Sequence, residues 1–321
     1  MVVDIAFLKP VESEIAQVET RIKQTGERDF PYLTDLLGHV LGKSGKRMRP
    51  GITLLVGKNF TYFEERHVPM AAAVELLHLA TLVHDDIVDD ADTRRGEETI
   101  NALWGSKVAV LLGDYLFANS AELVTSTGSL AATELFAHTL RELATGELQE
   151  LSVAFTGDSS RDLYWKRIYG KTASLFATAA ESAAILGDAS PRQIEACRDF
   201  GTNLGMAFQI VDDILDFEGS EEQIGKPVGN DLLQGVLTLP VIIFIEQHGI
   251  QEIIKSEKDL REPGSAAEIT EKIQNSSAIA DAYTVADEFL EKARHSLKEL
   301  GESTYQRSLV EMIGYVTKRQ S

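Results

Sequence analysis

The chain has 321 residues, 44% of them hydrophobic, which is enough apolar material for one large domain or two small ones. Its 50 acidic residues outnumber the 31 basic residues and give a net charge of -19, so its overall field repels nucleic acid and excludes it as an expected partner. The single cysteine, Cys197, excludes an internal disulfide and fits a reducing compartment. We interpret it as a small buried hydrophobe.

The segment from Met1 to Glu19 has no basic stretch followed by an apolar stretch, so we expect no signal or transit peptide. The longest apolar runs, 71–83 and 176–186, contain ionisable side chains and are shorter than the roughly 20 residues of a membrane-spanning helix. We therefore expect a cytoplasmic protein with no transmembrane segment.

Apolar residues recur three and four positions apart from about Asp4 to Lys318, which predicts an all-α fold. Alanine is abundant in the stretches 71–83, 172–186 and 203–215, and such slim helices suit the centre of a bundle. Glycine, proline or clustered polar residues mark candidate loops at 41–50, 93–98, 157–161, 187–191, 219–229 and 262–265. Because no flexible linker or internal repeat divides the chain, we expect a single domain over residues 1–321.

An apolar helix ends in a burst of aspartates in the sequence LVHDDIVDDADTRRG, residues 82–96. Asp85 and Asp89 stand four apart and project from one helix face, with Asp86 close by. Like charges one turn apart destabilise a helix by roughly a few tenths of a kcal/mol, which a cation between them would reverse. We expect His84, which adjoins Asp85, to orient it.

A second segment, QIVDDILDF at 209–217, repeats this spacing with Asp212, Asp213 and Asp216. Hard carboxylate oxygens suit Mg²⁺ or Mn²⁺ rather than zinc, and Mg²⁺ usually completes its shell with water and substrate phosphates. One such cluster alone would fit a solvated acidic helix end as well as it fits a metal site. Two clusters that both follow strongly apolar stretches favour metal sites for a diphosphate.

Cations that would bind a diphosphate lie mainly in the predicted loops. They are Lys43, Lys46, Arg47, Arg49, Arg94, Arg95, Lys171 and Lys226. Arginine forks and lysine point charges are the usual partners of phosphate oxygens. We interpret Lys43 and Arg47 as surface charges, and the set as a whole as phosphate-binding.

The motifs GKRMRP, DDIVD, RRG, KT, DDILD and GKPVGND follow one another in this order. Over nearly its whole length the chain thereby resembles the trans-isoprenyl diphosphate synthases of the polyprenyl synthetase family. The resemblance implies a helical bundle around a deep central cavity, usually dimeric. It implies a Mg²⁺-dependent prenyltransferase that condenses isopentenyl diphosphate with an allylic diphosphate.

The resemblance also implies residue roles. Three Mg²⁺ ions would accompany the bound diphosphate, held through Asp85, Asp89 and Asp212, with Asp86, Asp213 and Asp216 as further contacts. Arg94, Lys171 and Lys226 match residues that bind the allylic diphosphate in the family. Those that match a site for the diphosphate of isopentenyl diphosphate are Lys46, Arg49, His78 and Arg95, although His78 alone would be read as a core histidine. Thr172 and Gln209 match positions beside the allylic cation.

The segment 219–235 has four glycines and one proline, and we interpret it as a lid whose closure keeps water from the cation. The run after the second aspartate motif reads GNDLLQGVLTLP at residues 229–240, whereas the family pattern is GxDxxEGKxTLP. Gln234 and Val236 replace the common glutamate and lysine, which removes one candidate diphosphate contact.

Product length is predicted from the helix before Asp85. Ala80 and Thr81 lie about one turn deeper, where short-chain members of the family carry bulky aromatics, and Leu77 comes next. We call these residues the chain-length wall. Its small side chains would let the growing product pass, which predicts a product longer than C15. Phe117 and Phe136 are candidate floor residues.

Two rival activities fit the motifs poorly. A type I terpene cyclase would replace the second aspartate motif with an Asn/Asp, Ser/Thr, Glu pattern, and a head-to-head synthase would lack GKRMRP. One alternative to a homodimeric enzyme stays open: a catalytic subunit of a heteromeric synthase that is inactive without a partner protein.

Overall fold

A computed structural model describes residues 6–25, 30–41, 45–94, 96–218, 228–253 and 263–317. These residues are almost entirely helical, which confirms the all-α prediction. The helices are α1 Glu12–Gln24, α2 Pro31–Leu41, α3 Met48–Gly57, α4 Glu64–Val88, α5 Ile100–Trp104, α6 Ser106–Ser126, α7 Leu130–Val153, α8 Arg161–Ile168, α9 Ser174–Leu186, α10 Pro191–Glu218, α11 Asn230–Leu233, α12 Leu239–His248, α13 Pro263–Gln274, α14 Ala278–Ser296 and α15 Thr304–Thr317. A π-helical turn, Tyr169–Ala173, joins α8 to α9, and 3₁₀ turns occur at Ala6–Val11, Ile250–Glu252 and Leu297–Leu300.

The predicted loop at 93–98 contains a small hairpin. Strand β1, Thr93–Arg94, pairs antiparallel with β2, Glu97–Glu98. Gly96 lies between them with a φ of 78°, a conformation that glycine adopts without a Cβ penalty. The hairpin places Arg94 directly after α4.

The chain divides into two compact units. Unit 1 comprises Met1–His138, Leu175–Gly201 and Ser296–Met312. Unit 2 comprises Thr139–Ser174, Thr202–His295 and Ile313–Ser321. Helices α7 and α10 each contribute residues to both units. The single domain over 1–321 stays a prediction.

Helix α4 forms the centre of unit 1. Met70, Leu76 and Ala80 on α4 are fully buried, and α4 packs against α1, α3 and α6. The alanines of α4 allow close helix approach, as the sequence predicts. At Gly113 on α6, an added Cβ would lie 2.1 Å from His84 Nε2 on α4, so a larger residue there would displace the His84 ring.

Unit 2 has its own apolar core. On α10, the side chains of Ile210, Ile214 and Phe217 are fully buried and recur at helical spacing. Helix α12 contributes Leu239 and Val241, also fully buried. This packing fixes the orientation of α10, and hence of the aspartates at its end.

Helix α6 is long and apolar enough to cross a membrane by length and composition, although only 39% of its most apolar stretch is buried. This helix lies outside the apolar runs 71–83 and 176–186. Helices in the core of a globular unit pass the same test, and Leu112, Leu116 and Val124 of α6 are buried in unit 1. Length and composition therefore do not assign α6 to a membrane.

Candidate active site

The first aspartate cluster lies at the carboxyl end of α4. Helix α4 ends at Val88, and the backbone N–H of Asp89 donates to the Asp85 carbonyl at 2.8 Å. Asp85 and Asp89 are half-buried, whereas Asp86 is buried. Because the carboxyl end of a helix carries a partial negative charge, carboxylates there are disfavoured unless a cation is present. This position adds a second argument for a metal ion at Asp85 and Asp89.

Arg94 lies beside this first cluster. Its Nε donates a hydrogen bond of 2.6 Å to Asp86 Oδ1, so the two groups form an ion pair. The hairpin after α4 brings Arg94 back over the helix end, and Asp90 makes the reversal with a φ of 47°. Asp86 thus holds a guanidinium that the sequence predicts as a diphosphate ligand.

Two further predicted phosphate ligands, Lys46 and Arg49, lie at the amino end of α3 in unit 1. Lys46 is exposed, and the Arg49 guanidinium lies 4.5 Å from the centroid of the Phe176 ring. Amino ends of helices favour anions because their N–H groups and dipole point outward there. The location of both cations is therefore suited to a diphosphate.

Arg47 is not the surface charge that the sequence analysis predicted. Its side chain is only 12% exposed, and Nη1 donates to Glu75 Oε1 at 2.6 Å. Its Nε lies 3.4 Å from Glu19. The prediction was wrong because Arg47 pairs with Glu75, which lies 28 residues away in an apolar stretch of α4. The sequence pattern alone does not indicate that these two residues meet.

Several predictions concern residues outside the part of the chain that the structure describes. These are Lys43, Arg95, Lys226 and the portion of the predicted lid at 219–227. The described end of that segment contains α11, and Val236 there is buried.

His78 and His84, the two histidines in the second half of α4, have different surroundings. His78 is half-buried, three residues before Thr81, whose hydroxyl donates to the His78 carbonyl at 2.8 Å. A ring nitrogen of His84 bonds to the Val110 carbonyl on α6 at 3.1 Å, and its ring packs against Phe117. His84 therefore joins α4 to α6, and its expected orientation of Asp85 stays a prediction.

The residues of the predicted chain-length wall share the inner part of α4. Ala80 and Leu77 are fully buried, and Thr81 is half-buried with its hydroxyl bonded to the backbone. Phe136 is also buried, whereas Phe117 is half-buried against His84. Their roles in product length stay predictions.

The second aspartate cluster lies near the end of α10 in unit 2. Asp212 and Asp216 are half-buried. The two carboxylate oxygens of Asp216 accept backbone N–H groups of Asn230 and Asp231, each at 3.2 Å. Asp216 therefore fixes the start of α11, directly after the glycine-rich segment.

Asp213 is buried and bonded through both of its oxygens. Tyr164 donates from its hydroxyl to Oδ2 at 2.7 Å, and Gln209 donates from Nε2 to Oδ1 at 2.8 Å. Burial and the charge of Asp231 raise the pKa of Asp213 to about 8, although the two hydrogen bonds favour its charged form. Both oxygens of Asp213 already accept hydrogen bonds inside the protein, so Asp213 is better placed to orient Tyr164 and Gln209 than to bind a metal ion.

Lys171 and Thr172 project from the π-helical turn. Lys171 Nζ lies 2.6 Å from Glu150 and 3.3 Å from Glu147, both on α7. The Thr172 hydroxyl donates to Gln209 Oε1 at 2.6 Å. At Gly146, an added Cβ would lie 2.7 Å from the Lys171 backbone nitrogen, so α7 approaches the π-turn at backbone contact. The structure thus brings Thr172 and Gln209 together, and their place beside an allylic cation stays a prediction.

The donor groups fit magnesium. Within the described ranges, no three His, Cys, Asp or Glu side chains converge into a cage for an ion. Mg²⁺ is usually held by one or two carboxylates together with substrate phosphates and waters. The half-buried Asp85, Asp89 and Asp212 supply such carboxylates.

Sequence reasoning missed three side chains beside the second cluster: Tyr164, Glu150 and Arg167. Arg167 is buried, with Nη2 donating to the Leu237 carbonyl at 3.0 Å and Nε 3.5 Å from Glu150. The spacing of Tyr164 and Arg167 ahead of the KT motif was the only available signal. It does not reveal contacts with residues far along the chain.

The chain matches a known protein family over most of its length. The "Polyprenyl synthetase" family profile covers residues 30–281. The chain is 36% identical to heptaprenyl diphosphate synthase component 2 of Geobacillus stearothermophilus, covering 96% of this chain and 97% of the relative. It is 32% identical to octaprenyl diphosphate synthase of Escherichia coli, over 95% of this chain and 96% of the relative.

A solved structure shows the same fold. The crystal structure of a decaprenyl diphosphate synthase from Rhodobacter capsulatus superposes with a TM-score of 0.92 at 34% identity, covering 98% of this chain and 99% of that one. The chain belongs to the polyprenyl synthetase family.

Proposed function

We propose that the chain is a Mg²⁺-dependent trans-polyprenyl diphosphate synthase. It condenses isopentenyl diphosphate with an allylic diphosphate, releases diphosphate and forms a polyprenyl diphosphate longer than C15. The observation that carries this proposal is the pair of aspartate clusters, each at the end of a buried helix. Each cluster has a basic side chain in the same unit, Arg94 in unit 1 and Lys171 in unit 2. The names of the relatives, heptaprenyl, octaprenyl and decaprenyl diphosphate synthase, support the product class.

The residues of the chain divide the work of this reaction. Asp85, Asp89 and Asp212 would hold Mg²⁺, three ions in our proposal, which would supply the positive charge that stabilises the departing diphosphate. Arg94, Lys171 and Lys226 bind the allylic diphosphate. Lys46, Arg49, His78 and Arg95 bind isopentenyl diphosphate, and Thr172 and Gln209 lie beside the allylic cation. The segment 219–235 excludes water from that cation.

We further propose a homodimer that works in the cytoplasm. Leu103 on α5 and Val110 and Leu111 on α6 are exposed, Leu111 at 69%. Exposed apolar side chains of this size suit a contact with a second copy. Leu111→Asp should convert the dimer to monomer in light scattering, whereas the substitution Glu122→Gln on the same helix should not.

One specific observation favours the heteromeric alternative. The Geobacillus relative is named as component 2 of its synthase. A chain of this kind would need a partner protein for activity. The test below separates the two cases.

The decisive experiment is incubation of the purified chain with isopentenyl diphosphate and farnesyl diphosphate, with Mg²⁺ and with a chelator. We expect a Mg²⁺-dependent ladder of products ending at one length above C15 by mass spectrometry. A ladder ending at or below C15 would contradict the product class. No turnover with farnesyl or shorter allylic starters would instead favour the partner-requiring subunit.

A further inference from the structure

We propose that Tyr164 is a positioning residue for the condensation, acting through Asp213 and Gln209 on the hydroxyl of Thr172. The inference rests on the proposed function, because it assigns an added role within the same reaction. It concerns a residue that neither the aspartate motifs nor the predicted phosphate ligands include.

A continuous chain of hydrogen bonds carries the proposal. The Tyr164 hydroxyl donates to Asp213 Oδ2 at 2.7 Å, Gln209 Nε2 donates to Asp213 Oδ1 at 2.8 Å, and Thr172 Oγ1 donates to Gln209 Oε1 at 2.6 Å. Tyr164 is 2% exposed, Asp213 3% and Thr172 7%, whereas Gln209 is half-buried, so the Tyr164–Asp213 bond in particular is shielded from water. All four side chains belong to unit 2.

The bonds have a fixed direction. The carboxyl oxygens of Asp213 accept hydrogen bonds from both Tyr164 and Gln209. Gln209 must then present its amide nitrogen to Asp213 and its carbonyl oxygen to Thr172. Thr172 must donate its one hydroxyl proton to that oxygen. The hydroxyl proton of Thr172 is thus already used, so the hydroxyl presents only its oxygen lone pairs to any further group.

This direction suits a reaction with a developing positive charge. Lone pairs stabilise a nearby cation, whereas a hydroxyl proton pointed at it would repel it. Tyr164 contributes by holding Asp213, since loss of its hydroxyl leaves Oδ2 buried without that donor. Asp213 would then rotate or shift, and the Gln209 amide would no longer be fixed.

The test compares Tyr164→Phe with the wild-type chain, with Tyr283→Phe as the matched control. Tyr283 also bonds to a carboxylate, Glu218, but lies outside this hydrogen-bond chain. For Tyr164→Phe we expect kcat to fall about 10- to 100-fold, because small misplacements near reacting groups cost this much. The KM values for both substrates should stay within about twofold. Tyr283→Phe should match the wild type.

A double-mutant cycle distinguishes positioning from general structural support. Thr172→Val should lower kcat, and adding Tyr164→Phe to it should lower kcat little further, because both remove the same alignment. Gln209→Met should reproduce the kcat loss without touching Tyr164, which keeps the test valid if Tyr164→Phe folds poorly. Thr172→Ser, which retains the hydroxyl, should recover most of the activity.

The outcomes separate this inference from the proposed function. An active wild-type chain with unchanged kcat in Tyr164→Phe, or with fully multiplicative losses in the cycle, would overturn the positioning role alone. A rise in KM at constant kcat would also overturn it. A wild-type chain that forms no product from any starter, with or without a partner protein, would overturn the proposed function as well.

Discussion

Arg47 Nη1 donates a hydrogen bond of 2.6 Å to Glu75 Oε1, and the two side chains are only 12% and 5% exposed. The pair connects the residue before α3 to the middle of α4. Arg47 has a φ of 49°, a conformation that residues other than glycine seldom adopt. Burial alone would lower the pKa of Arg47, but the charges of Glu75 and Glu19 raise it above its ordinary value.

Removing one partner should therefore be costly. Glu75→Ala leaves a guanidinium in a largely buried position, and we expect the free energy of unfolding to fall by about 3–5 kcal/mol in urea titrations. The double variant Arg47→Met with Glu75→Leu should recover most of this loss, since neither charge then remains. Equal stability of Glu75→Ala and the wild type would show that the pair contributes nothing.

Gly146 should be more important for activity than for stability. Its position against the π-turn means that Gly146→Ala pushes on the backbone of Gly170 and Lys171. We expect at least about a tenfold loss of kcat, because Lys171 and Thr172 would move with the turn. Gly314→Ala is the matched control, since no atom lies within 4 Å of its added Cβ. It should leave activity unchanged and stabilise α15 by up to about 1 kcal/mol.

Much of this architecture could be predicted from local sequence. The helical spacing of Asp85 and Asp89, and of Asp212 and Asp216, depends only on residues four apart, and the structure places each pair at the end of a buried helix. The burial of Ala80 likewise follows from the apolar run around it.

Other contacts depend on residues far apart in the chain. Tyr164 bonds to Asp213 49 positions away, and Thr172 to Gln209 37 positions away. Arg47 pairs with Glu75 28 positions away, and without that partner it looked like a surface charge. Local periodicity contains no information about such pairs, because they depend on how helices pack.

His67 should make the stability of the protein depend on pH. Burial lowers the pKa of His67. In the neutral ring, Nε2 donates to the Ala183 carbonyl at 3.1 Å and Nδ1 accepts from the Phe63 backbone N–H at 3.2 Å. The unfolded chain, with an ordinary histidine pKa of about 6.5, then binds a proton that the folded chain does not. Stability from this group is therefore fully present above about pH 6.5 and is lost as the pH falls.

The measurement is the melting temperature at a series of pH values between neutral and mildly acidic. His67→Gln, which cannot titrate, should show a shallower decline toward acidic pH than the wild type. Identical pH profiles for the two proteins would assign the decline to other groups.

Cys197 should be chemically inert in the folded protein. It is fully buried, and burial raises the pKa of its thiol to about 12. Because the thiolate is the reactive species, alkylation by iodoacetamide near neutral pH should be slow without denaturant and fast in it. Mass spectrometry of intact protein would follow the reaction. Rapid labelling under native conditions would contradict the buried location.

Enlarging Ala80 should shorten the product. Ala80 is fully buried on α4 about one turn from Asp85, and Leu77 lies about one turn deeper. If the growing chain runs along this face, Ala80→Phe should block it and shorten the final product by several isoprene units. Ala80→Val should have a smaller effect, so the shortening should grow with side-chain size. Mass spectrometry of the products from farnesyl diphosphate would measure it. Unchanged product length in a folded, active Ala80→Phe variant would mean that the growing chain is stopped elsewhere. Phe136→Ala would then be tested for longer products.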